Sequence, residues 1–80
     1  MTPSEFRTWR KSLKLTQKAA AQKLGLKPRI IQYYEKGERN GSFFAVPRSV
    51  ELACFAITLG IERFPDKEEM KRYSKFTKKT

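Results

Sequence analysis

"LTQKAAAQKLGLKPRIIQYYEKG", Leu15 to Gly37, holds two short helical patterns divided by a single glycine. Thr16 stands where a helix N-cap belongs, and Ala20, Ala21 and Leu24 follow at helical spacing, the two alanines small enough to let a neighbouring helix approach closely. Gly25 suits the left-handed residue that stops a helix. After Leu26 comes Lys27, then Pro28 at a permitted first-turn position, and a further helix is expected to run to about Lys36 and end at Gly37. In that helix Ile31 and Tyr34 form an i,i+3 packing pair, whereas Arg29, Gln32, Tyr33 and Lys36 point elsewhere. Its polar and aromatic side is left for a partner.

Working upstream, "TPSE" opens a first helix, with Thr2 as N-cap, Pro3 at the first helical position and Glu5 closing a capping box. Phe6, Trp9 and Leu13 recur at helical spacing, and the helix is expected to end near Lys14. Downstream, "GERNGSFFAV" (Gly37 to Val46) reads as a loop whose Phe43, Phe44 and Val46 tuck onto the core or a partner. "PRSVELACFAITLG" reads as a fourth helix, apolar on most sides and so expected at the centre of the bundle. Asp66 caps a short fifth helix expected to reach about Lys75, with Met70, Tyr73 and Phe76 three apart. The expected fold is all-α, a compact bundle of four to five helices. Residues 1–62 form its domain, and residues 63–80 a short helix and basic tail, a candidate for dimerisation.

Eighty residues suit one small core and one binding face. There are 18 Lys and Arg against 8 Asp and Glu, a net charge of +10, and the excess is not confined to the tail: 11 basic and 4 acidic residues lie in positions 1–60. Such a balance calls for a polyanionic partner, nucleic acid or an anionic membrane surface. The longest apolar run is too short to span a bilayer, and no signal or transit pattern opens the sequence, so a cytoplasmic protein is expected. One cysteine, Cys54, permits no internal disulfide. With no histidine the commonest general base and metal ligand is missing, so neither an enzyme, a metal site nor a cofactor is expected.

Two helices joined by a tight glycine turn, the second with a polar outward face, meet the mechanical needs of a helix-turn-helix. The chain resembles the Cro/repressor-type helix-turn-helix family of phage and bacterial regulators in "LTQKAAAQKLGL", "IIQYYEKGER" and "LACFAITLG", from about Phe6 to Gly60. The resemblance implies a lambda-repressor-like domain that reads double-stranded DNA. Base contacts would fall to Lys27, Pro28, Arg29, Gln32 and Tyr33. Backbone contacts would fall to Gln17, Lys36, Arg39 and Asn40, with Gln17 also bracing the recognition helix. Lys18 is a further backbone candidate, although Lys18 and Lys23 also read as solvated surface charges. An ion pair between Arg10 and Glu35 is implied too.

Independently of the family, the arginine fork matches guanine O6 and N7, and a glutamine amide matches adenine, which makes Arg29 and Gln32 the expected readers. Pro28 either fixes the helix start or presses on a thymine methyl. Tyr33 either touches DNA or packs on the loop phenylalanines, and Ile30 is expected to face the core. A homodimer reading a palindrome, serving as a repressor of a short phage or mobile-element operon, is the expected use. Its contact surface would come from Phe43 and Phe44 or from Met70, Tyr73 and Phe76. The rival expectations are an antitoxin-like protein-interaction module and a nonspecific nucleic-acid binder.

Overall fold

The computed structural model describes residues 1–73. Helix α1 (Pro3–Ser12) begins on a reciprocal capping box: Glu5 N–H donates to Thr2 Oγ1 at 3.0 Å, and Thr2 N–H donates to Glu5 Oε1 at 2.8 Å. It stops two residues before the expected Lys14. Lys14 turns into the left-handed region at φ +58°, letting Leu15 N–H donate back to Arg10 O.

Helix α2 (Gln17–Leu24) is capped by Thr16, whose Oγ1 accepts from Ala19 N–H. Gly25 takes φ +72°, and Leu26 N–H closes onto Ala21 O at 2.8 Å, so the chain reverses in two residues. Helix α3 (Pro28–Lys36) ends at Gly37, φ +83°, where a Cβ would lie 3.0 Å from Pro3 Cγ. Both the conformation and the close approach of α1 require glycine there.

The expected loop after α3 is instead a hairpin. Strands β1 (Glu38–Arg39) and β2 (Ser42–Phe43) pair antiparallel, Glu38 opposite Phe43 and Arg39 opposite Ser42. Asn40 and Gly41 at its tip both have positive φ, +52° and +83°, which is what a type I′ turn demands and what the Asn-Gly pair supplies. Phe44 N–H donates to Gly37 O at 3.0 Å and closes the base. Helix α4 (Arg48–Thr58) follows, then α5 (Lys67–Lys71), begun by an Asp66–Glu69 capping box. The part of the expected fifth helix beyond residue 73, Phe76 included, lies outside the described residues.

Phe6, Ala21, Ile31, Tyr34, Val46 and Cys54 form the core, with Trp9, Leu24, Leu26, Ile30, Phe44 and Val50 packed around it. Trp9 locks α1 to α4, its Nε1 donating to Cys54 O and Thr58 Oγ1. The expectation that α4 lies at the centre is overturned. Only Cys54 and Ile57 are buried on it, while Leu52, Phe55 and Leu59 are 65%, 63% and 61% exposed. A chain this small has too few elements to wrap any helix on all sides, and the interior is already filled by α1, α2 and α3. No described helix is long and apolar enough to cross a membrane.

Candidate nucleic-acid interface

The two helices of the Leu15–Gly37 stretch are held together from inside by one carboxylate. Glu35, on α3, has a side chain only 2% exposed. Arg10 of α1 grips it with two prongs, Nε to Oε2 at 2.5 Å and Nη2 to Oε1 at 3.0 Å, while Nη1 donates to Leu15 O at 2.8 Å. Gln17, at the head of α2, donates to Oε1 at 3.3 Å, and Arg7 adds a third cationic contact at 3.5 Å. Burial pushes the Glu35 carboxyl up. The hydrogen bonds from Arg10 and Gln17, with the charges of Arg10 and Arg7, outweigh it and hold the group below the usual carboxylate range. The same Glu35 hydrogen bond raises Arg10 further above an already high value. Thus α1 and α2 both close on one residue of α3, and the α1–α2 turn is tied in through Arg10, which sets how α3 is presented.

The opposite face of α3 carries no such partners. Lys27, Pro28, Arg29 and Gln32 are exposed. Lys27 offers α3 no side-chain cap, so the fixed φ of Pro28 starts the helix. Tyr33 is half-buried, its ring edge-on to Phe44 at 5.4 Å, and Phe44 in turn stacks on the buried Tyr34 at 5.5 Å. The guanidinium of Arg39, on β1, lies over the outer side of this ladder, 5.4 Å from the Tyr33 centroid. Lys27, Pro28, Arg29, Ile30, Tyr33 and Arg39 together line a cleft of about 550 Å³, its floor apolar and its rim cationic. Among the described residues, the side chains of Lys27, Arg29, Gln32 and Arg39 make no intramolecular hydrogen bond or ion pair, so their donors are available to a ligand.

The other candidates are placed around this cleft or away from it. Lys18 is exposed on α2, Lys36 is exposed at the end of α3 and 3.8 Å from Glu38, and Asn40 is at the hairpin tip. Ile30 is half-buried and belongs both to the core margin and to the cleft. Of the dimerisation candidates, Phe43 is 79% exposed and Tyr73 46%, Met70 is half-buried, and Phe44 is occupied by the two tyrosines.

Sequence reasoning missed Arg7 as a partner of Glu35 and the hairpin that carries Arg39. The first could have been found from Arg7 standing one turn before Arg10, and the second from Asn40-Gly41. Cys54 is buried, which pushes its thiol up to about 11 with a smaller contribution from Glu51, so it is protonated at neutral pH. No group of three His, Cys, Asp or Glu side chains that could hold a metal occurs among the described residues.

Compared with known proteins, residues 6–42 match the helix-turn-helix family, a stretch that takes in most of α1, all of α2 and α3, and the hairpin as far as Ser42. No curated protein and no solved structure matches the chain. The matched stretch contains every residue that closes on Glu35 and every residue that lines the cleft.

Proposed function

We propose that the chain, whose residues 6–42 match the helix-turn-helix family, is a Cro/repressor-type DNA-binding regulator, a dimeric repressor that reads a palindromic operator through the major groove. The observation that carries the reading is the contrast between the two sides of α3. Its inner side is pinned through Glu35, and its outer side presents Arg29 and Gln32 with their donors free. A rigid helix offering an arginine fork and a glutamine amide is equipped to discriminate base edges, each good pair contributing roughly 1–3 kcal/mol.

In this reading Lys27, Pro28, Arg29, Gln32 and Tyr33 face the bases. Gln17, Lys18, Lys36 and Asn40 approach the phosphates, with the net charge of +10 providing the long-range attraction. One recognition helix spans only a few base pairs. Two helices about 34 Å apart read a two-fold site on one side of the duplex. The exposed apolar stripe of Leu52 and Phe55 on α4 and Leu59 at its C-cap supports such pairing, because two copies that meet there would withdraw it from water. An autoregulated short operon of a phage or mobile element is the simplest use for so small a reader.

Selection of binding sites from a random duplex pool, followed by fluorescence anisotropy across salt, tests this. A palindrome bound at least about 10³-fold over a scrambled duplex is the expected result. Equal affinities that fall together with a steep salt slope would mean that charge alone binds. The antitoxin-like reading would use the C-terminal segment from Met70 to Phe76, and it would gain from co-purification of a stable heterologous partner.

A further inference from the structure

We propose that Arg39, on the hairpin, is a base reader specific for guanine, and that Tyr33 is the residue that positions it. The inference rests on the helix-turn-helix reading and departs from the phosphate role that the family resemblance gives Arg39.

A phosphate contact needs only a cation of loose geometry, whereas a guanine contact needs a guanidinium held in place with its fork free. The structure supplies the second condition. Arg39 stands on a two-residue strand whose position is set by the Asn40-Gly41 turn and by the Phe44-to-Gly37 bond at its base. Its guanidinium is held on the Tyr33 ring, Tyr33 is edge-on to Phe44, and Phe44 stacks on the buried Tyr34. The aromatic ladder therefore runs from the core to one arginine. No hydrogen bond or ion pair among the described residues occupies the N–H donors of that guanidinium, so its fork is free for a base edge. Arg39 lines the same cleft as Lys27, Pro28 and Arg29 of the first turn of α3, so a base edge that reaches those residues also comes within reach of the hairpin. Specificity is then shared by two elements, the recognition helix and the hairpin behind it.

The experiment uses the full chain, the selected duplex and its complete set of single-base-pair variants, measured by anisotropy at several salt concentrations. Arg39→Lys and Arg39→Ala are expected to lower the preference for one G·C pair by about tenfold or more. Arg39→Lys should do so with the wild-type salt slope. Tyr33→Leu should relax the same base pair without changing the slope, and Tyr33→Phe, which keeps the ring, should retain the preference. Thermal unfolding of each variant shows whether a loss is a folding defect, and the two Arg39 variants carry the test if Tyr33→Leu does not fold.

The proposal is overturned if Arg39→Ala weakens every duplex alike and lowers the salt slope by about one, with Arg39→Lys restoring both, because that is phosphate behaviour. It is also overturned if Tyr33→Leu leaves the Arg39-dependent base pair unchanged. A wild-type protein that prefers no duplex would remove the helix-turn-helix reading itself. Preserved operator preference with an indifferent Arg39 would remove only the hairpin proposal.

Discussion

Arg10 and Glu35, 25 residues apart in sequence, meet in a two-pronged ion pair with contacts of 2.5 and 3.0 Å. The pair ties the first helix to the third at a site where the Glu35 side chain is 2% and the Arg10 side chain 12% exposed. Its worth lies less in net attraction than in what its disruption leaves behind, a carboxylate in a site that water hardly reaches.

Arg10→Ala is accordingly expected to destabilise the fold by about 3–5 kcal/mol, a large share of what a domain this size possesses. The melting temperature followed by circular dichroism should fall by more than about 12 °C. Replacing both partners, Arg10→Met with Glu35→Leu, should recover much of the loss because no buried charge remains unpaired. A double variant as unstable as the single one would refute this account.

The same carboxylate gives the protein an acid limb. Glu35 is held below its unfolded value, so its contribution is fully present above the ordinary glutamate pKa of about 4.3 and is lost as pH falls through the lower, folded value. Urea midpoints should decline below about pH 4, and the decline should be shallower in Glu35→Gln. Parallel pH profiles for the two proteins would exclude Glu35 as the cause.

On the outer face of α3, substitutions should separate reading from attraction. Arg29→Ala and Gln32→Ala should each relax one base pair of the operator at a loss of roughly 1–3 kcal/mol. Lys36→Ala should weaken all sequences equally and reduce the salt slope by about one. Anisotropy titrations at three salt concentrations distinguish the two patterns.

The exposed α4 stripe should carry self-association. Phe55→Glu, which puts a charge in the middle of Leu52, Phe55 and Leu59, is expected to shift light scattering from dimer to monomer with the melting temperature little changed. Tyr73→Ser should leave the dimer intact. The reverse result would move the interface to the C-terminal helix expected from sequence.

Cys54 should resist thiol reagents. Burial and a pKa of about 11 leave almost no thiolate at pH 8, so labelling by an aromatic disulfide should be slow in buffer and fast in urea. Rapid labelling of the native protein would show that α4 opens locally.

The boundaries of α2 and α3 were legible because each is a local matter. Thr16 accepts the bond an N-cap accepts, Gly25 and Gly37 adopt a positive φ that glycine takes without steric cost, and within a helix Pro28 is best tolerated in the first turn. The hairpin was less legible. Asn40-Gly41 signals it, but strands of two residues are too short to show an alternating pattern.

The burial of α4 was misread for a different reason. Apolar composition shows that a helix can be covered, while how much of it is covered depends on how many neighbours the rest of the chain provides, and here they cover one stripe. By itself, then, the sequence determined the helical class, the turn between α2 and α3 and the polar side chains left exposed on the outer side of α3. Only the tertiary structure decided that α1 and α2 close on Glu35 of α3, that Arg39 rests on Tyr33 beside the first turn of α3, and that Leu52, Phe55 and Leu59 stay outside. Caps and turns are set by interactions within a few residues. These three outcomes depend on side chains brought together, or left apart, only by the packing of the whole chain.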